Sequence, residues 1–231
     1  FDLYNHCGPM TRSVADAALV QNIVSGPHSR DHWSLRDRLV IPDSQPPAKG
    51  MKIAWSMDLG FMQVDPEVRS NTRAALDVLR GLGCTVEEVT VPWTLDIEKA
   101  AVHWYNSMHY GRQTIWHAAN HAELLTSYAL NYARFAASHT GLDDMAHSWD
   151  TVQAMYEFFG PLMERYDAFI CPTNGIPAVK ADHDPANPDF YVNGVKVDPE
   201  NGWIMTYPFN MLHNCPVMSV PSGRSPTTGV P

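Results

Sequence analysis

No C-x-x-C pair occurs in the 231 residues, and the four cysteines, Cys7, Cys84, Cys171 and Cys215, lie far apart. That spacing excludes a zinc knuckle and a dithiol redox motif, and suits four reduced thiols, three of them in apolar surroundings, as in a cytoplasmic protein. Lysine is scarce: Lys49, Lys52, Lys99, Lys180 and Lys196 are the whole set, and they form no basic run that would suit an anionic membrane. Lys and Arg total 16 against 25 Asp and Glu, a formal net charge of −9. Such a surface repels phosphate backbones, so no nucleic-acid partner is expected. No apolar stretch approaches the ~20 residues that a bilayer-spanning helix needs. The usual serine-hydrolase signals are missing too, with no G-x-S-x-G, no Gly-Gly and no S-x-x-K.

What is present is enough for a real core, since 45% of the residues are hydrophobic and 18% charged. Residues 13–24 read as a helix, with Ser13 and Asp16 at capping-box spacing and Gly26-Pro27 beyond its end. Residues 27–50 read as irregular and close on the Pro-rich "IPDSQPPAKG". The clearest unit covers residues 51–91. "MKIAW" is a short apolar strand, and the helix after it has Asp65 as N-cap, Pro66 at its first position and Glu67 beside the positive end of the dipole. Val68, Thr72, Ala75, Leu76, Leu79 and Leu82 share one helical face, Gly83 ends the helix, and "CTVEEVTV" is a second strand. Strand, helix, strand in this order is a βαβ unit and implies a parallel sheet.

Residues 96–166 have aromatic, Met, Leu and Ala residues at helical intervals, which predicts two or three helices with a break near Gly141. "YDAFICP" (166–172) predicts a buried strand, "YVNGVKV" a hairpin around Asn193-Gly194, and "CPVMSVP" (215–221) a last buried strand. The fold class expected is α/β, a mixed and largely parallel central sheet flanked by helices.

Candidate chemistry is thin. His117 and His121 are four apart on a predicted helix with Glu123 nearby, but a third ligand is not evident, and a pair of partly exposed helix histidines is the favoured reading. Ser219 and Ser222 flank Pro221 without a neighbouring histidine or lysine, and Cys171 reads as a small core residue. Thr173 and Asn174 follow a strand exit, the place where open α/β sheets bind ligands, and an ordinary strand exit fits as well. Trp203 and Tyr207 are four apart, so in a helix they would share a face, lining a pocket or packing in the core. The residues by themselves support a soluble α/β domain that is part of an enzyme, without showing a reaction.

Four stretches, in order, resemble the amidase signature family: "GPMTRSVADAALVQNIVSGPHSRD", "MKIAWSMDLGFMQVDPEVRSNTRAALDVLRGLGCTVEEV", "ERYDAFICPTNGIPA" and "YPFNMLHNCPVMSVPSG". The resemblance implies hydrolysis of carboxylic amides, or of aryl esters, through a Ser–cis-Ser–Lys triad, with no cofactor and no metal. In the family all three catalytic residues precede the "GPMTRS" segment. Residues 1–231 are therefore expected to be the C-terminal portion of an amidase-signature domain, looking cut at both ends, with no catalytic residue assigned to them. The resemblance implies substrate-binding roles for Thr173, Asn174, Trp203 and Tyr207. Members acting on tRNA-linked substrates carry an acidic residue near position 203, so the indole there implies an apolar or aromatic acyl group. The expected partners are a small-molecule amide and either the missing N-terminal half or a second copy of the chain. The alternatives are a non-catalytic half-domain that binds a partner, and a relative of the amidase-type subunit of an amidotransferase.

Overall fold

A computed structural model describes residues 4–34, 36–106, 111–139 and 141–231. The βαβ unit forms as its sequence dictates. Strand β1 (Lys52–Trp55) leads to helix α2 (Pro66–Gly81) and strand β2 (Thr85–Glu88), after a surface helix α1 (Val14–Val24). Asp65 caps α2 by accepting a hydrogen bond from the Glu67 amide at 2.7 Å, and Ser13 caps α1 by accepting one from the Asp16 amide at 3.1 Å. β1 is the middle strand. It pairs in parallel with β2, Lys52 opposite Thr85, and with β3 (Ala168–Ile170), Ile53 opposite Ala168. Ile53, Ala54 and Trp55 are buried in succession, as a parallel strand covered on both faces requires. β3 is only half-buried along its length.

Between β2 and β3 lie α3 (Asp96–Tyr105), α4 (Gly111–Asn120), α5 (Ser127–His139) and α6 (Leu142–Met163), and the join of α3 to α4 falls outside the described residues. Gly141 is the N-cap of α6, so the expected break falls there. A second boundary comes after α4, at His121 and the short 3₁₀ turn Ala122–Leu124. No Gly or Pro marks it, which is why helical periodicity alone runs through it. The core lies where α3 packs on α6 and on α7 (Tyr207–Met211), and α6 reaches β3 through Phe159 and Phe169. Trp104, Met155, Met205, Met211 and Leu212 are all fully buried there.

The hairpin of β4 (Tyr191–Val192) and β5 (Val195–Lys196) turns through Asn193 at φ 52° and Gly194 at φ 76°, the two positive values a type I′ turn needs. The segment 215–221 differs from expectation. It is extended but not a strand, and Val217, Met218 and Val220 are 61–64% exposed. Apolar alternation can predict a strand, but a strand exists only with a partner, and no described segment pairs with this one.

Residues beyond it clip onto the start of α2. The Ser225 and Thr227 hydroxyls both donate to the Glu67 carboxylate, Ser225 at 2.5 Å, which holds Glu67 below its ordinary pKa. A carboxylate lowered by folding stabilises the clip above its unfolded pKa and loses it as pH falls through the folded value. A carbon-13 titration should therefore place Glu67 below 4.5, and Glu67→Gln should speed exchange of the Thr228 amide, which donates to Ser225 Oγ. A midpoint at or above 4.5 would contradict the clip.

Candidate functional site

The chain leaves β3 through Cys171 and Pro172 and at once pairs with a distant segment. Met205 N–H donates to the Thr173 carbonyl at 3.1 Å and Gly175 N–H to the Trp203 carbonyl at 2.7 Å, bracketing an antiparallel bridge between Asn174 and Ile204. The Gly175 carbonyl then accepts from Asp65 N–H at 2.7 Å, so the strand exit is also tied to the N-terminus of α2. Three of the expected site residues, Thr173, Asn174 and Trp203, thus sit on one short two-stranded patch. Thr173 is exposed and its hydroxyl lies 2.9 Å from Ser219 Oγ. Trp203 is half-buried, its indole N–H donating to the Pro199 carbonyl at 3.1 Å.

Tyr207 goes elsewhere. Trp203 belongs to a turn and Tyr207 opens α7, so the two share no helical face. Tyr207 is 4% exposed and its hydroxyl points to Met62 Sδ at 3.7 Å. Burial, with a smaller contribution from Glu98, raises its pKa, so the phenol stays protonated. It belongs to the hydrophobic core rather than to the surface of the patch.

The turn that carries Trp203 is tightly determined. Asp198 Oδ1 accepts from the amides of Glu200 at 2.9 Å and Asn201 at 2.7 Å, and the Gly202 amide returns to the Asp198 carbonyl at 3.0 Å. Asn201 reaches the Tyr132 hydroxyl of α5 at 3.1 Å, while His183 bonds the Pro199 carbonyl at 2.7 Å. Two half-buried carboxyls stand around this turn: Glu98 of α3 and Glu200. Each is raised to about 7, by burial first and then by the Asp198 charge. Sequence reasoning missed both, because Glu98 reads as an ordinary acidic residue in a first helical turn and Glu200 as part of a polar loop. No local pattern brings them together.

The remaining candidates stay chemically quiet. Burial pushes the Cys171 thiol up to about 12, which leaves it protonated and inert. The His117 and His121 rings lie 6.0 Å apart, both against Trp116, with His121 Nδ1 3.9 Å from Glu123. Among the described residues no group of three or more His, Cys, Asp or Glu is placed to hold a metal ion, and no helix is long and apolar enough to cross a membrane.

A small parallel sheet flanked by helices, with a polar strand exit crossed by a distant segment, defines an α/β protein. Comparison with known families is specific: residues 2–231 match the Amidase family, and the chain belongs to it. It is similar to the acylamidase of Rhodococcus erythropolis, with 28% identity over 227 residues, covering 94% of this chain and 45% of that protein. A glutamyl-tRNA(Gln) amidotransferase subunit from Thermosynechococcus vestitus is 27% identical over 247 residues, covering 94% of this chain and 48% of that one. Among solved structures, a bacterial aryl acylamidase of the amidase signature family superposes with a TM-score of 0.76 at 23% identity, over 88% of this chain and 44% of that chain. The chain spans about half the length of the relatives it matches.

Proposed function

We propose that residues 1–231 form the substrate-side part of an amidase-type hydrolase, which cleaves the C–N bond of carboxylic amides, or the C–O bond of aryl esters, through a serine acyl-enzyme. The single observation that carries this reading is the patch of Thr173, Asn174 and Trp203, built by pairing residues 173–175 with 203–205 inside a chain of the Amidase family. In this reading the paired segments border the acyl pocket, with the Trp203 indole favouring an apolar or aromatic acyl group. The nucleophile, its bridging serine and the lysine base lie on a segment outside these residues, and the protein works in the cytoplasm. Among the described residues Ser219 meets Thr173, a poor partner for activating a nucleophile.

A second reading, a half-domain that binds another polypeptide, draws on α1, which has no buried residue. Leu19, Ile23 and Val24 are 60–69% exposed, a surface that water tolerates poorly without a partner. Both readings meet in one assay. The purified 231-residue chain should not hydrolyse p-nitroacetanilide or p-nitrophenyl acetate. Turnover should appear when a polypeptide carrying the family's serine–serine–lysine half is added, and Trp203→Ala should then raise KM for aryl acyl groups. Turnover by the chain alone, stopped by a serine-directed inhibitor, would overturn the placement of the nucleophile. Stable association with no turnover would favour the second reading.

A further inference from the structure

A recess with about 10 Å³ of free space lies behind the Trp203 turn, room for one water-sized group. Its lining comes from five parts of the chain. Glu98, Ala101, Val102 and Tyr105 face it from α3, Tyr132 from α5, Asn201 from the turn, and Tyr207 and Tyr4 from below. The aromatic wall is continuous: the Tyr4 and Tyr105 rings are 5.2 Å apart and tilted, and Tyr105 meets Tyr132 edge-on at 6.1 Å. Among the described residues no Lys or Arg lines the space, although the carboxyl of Glu98 does.

These features select a ligand by charge and size. Aromatic faces carry negative potential, and a half-buried carboxylate without a protein cation is stabilised by any cation that reaches it. A quaternary ammonium exceeds the space, whereas a primary ammonium, one nitrogen with three N–H donors, has the dimensions of water and finds an acceptor in the Glu98 carboxylate. We infer that this recess binds a primary ammonium group, held by Glu98 within the Tyr4–Tyr105–Tyr132 wall and over Tyr207. As a statement about substrate it rests on the amidase reading: because Asn201, which lines the recess, and Trp203 belong to one turn, the substrate is an amide whose acyl chain ends in a primary amine.

The groups facing Glu98 set a pH dependence. Asp198 and Glu200 stand on the turn, Tyr132 on α5, Tyr105 on α3, Tyr207 on α7 and Tyr4 on the N-terminal segment, and His183 lies behind Glu200. The Glu98 carboxyl, raised to about 7 by burial and by Asp198, is mostly neutral at pH 6 and mostly ionised at pH 8. Because the ligand needs the ionised form, affinity should fall about tenfold from pH 8 to pH 6.

Calorimetric titration of the 231-residue chain with methylammonium chloride tests this. The expected result is saturable one-to-one binding at pH 8, about tenfold weaker at pH 6, lost in Glu98→Gln and absent with tetramethylammonium or methanol. No saturable binding at pH 8 would overturn the site, and so would affinity unchanged at pH 6 or in Glu98→Gln. Equal binding of tetramethylammonium would overturn the choice of a primary amine. The titration needs no catalysis, so the two proposals fail separately. Binding without turnover in the reconstituted enzyme would sink the amidase reading alone, and turnover without binding would remove only this site.

Discussion

Phe159→Ala will lower the unfolding free energy by about 3–5 kcal/mol, the range for removing a buried aromatic ring. Phe159 of α6 is 4% exposed, and its ring lies 6.1 Å from Trp93, 5.4 Å from Phe169 of β3 and 6.0 Å from Phe209 of α7. Those neighbours also touch one another, Trp93 and Phe209 at 5.8 Å and Phe169 and Phe209 at 6.0 Å. The cluster is therefore where the sheet, α6 and α7 meet. The cost has two parts, the lost transfer of the ring out of water and the cavity left behind. The second is large when the rim cannot collapse, and each rim residue here is fixed by a different element. Urea unfolding of parent and variant measures the difference. A loss below about 1 kcal/mol, the size of an average substitution, would mean the rings do not form a closed core.

Gly175→Ala will disrupt the candidate site from within the backbone. A Cβ at residue 175 would stand 2.4 Å from the Gln63 carbonyl oxygen and 3.5 Å from that of Trp203. Backbone oxygens cannot rotate aside as a side chain does, so the strand exit must move away from the loop before α2. Overpacking of this kind costs about 1–3 kcal/mol, and more where the surroundings are rigid. The surroundings here are rigid, because Gly175 both donates to Trp203 and accepts from Asp65, each at 2.7 Å. The Met205 amide, which donates to the Thr173 carbonyl, should lose protection against hydrogen exchange by roughly tenfold or more, since about 1.4 kcal/mol is one decade. Gly81→Ala is the control. It lies at the end of α2 with no atom within 4 Å of its Cβ position, so it should leave that amide unchanged. Unaltered exchange in Gly175→Ala would show that residues 173–175 and 203–205 are not paired as described.

The consequences of these two changes differ because they act on different levels of structure. Phe159 stabilises the body that any α/β packing of this sequence would need. Gly175 matters only because two segments far apart in the chain cross at one point. Its effect on Trp203 is accordingly positional, through the carbonyl it bonds, and should emerge as altered substrate preference in a reconstituted enzyme more than as loss of fold.

Residues 1–231 by themselves determined the local architecture wherever a short-range signal existed. Asp65, Pro66 and Glu67 start α2, Ser13 caps α1, Asn193-Gly194 makes the type I′ turn, and two apolar strands around an amphipathic helix yield the parallel pair β1–β2. In each case the atoms that interact are within a few residues of one another, so spacing in sequence is spacing in space. The family resemblance was legible for the same reason, carried by contiguous stretches. Only the tertiary structure decided that residues 173–175 pair with 203–205, that Tyr207 turns inward, and that Glu98 from α3 faces Asn201 and Tyr132 across one recess. It decided as well that Val217, Met218 and Val220 stay exposed, because the alternation that predicts a strand says nothing about whether a neighbouring strand is there to pair with it.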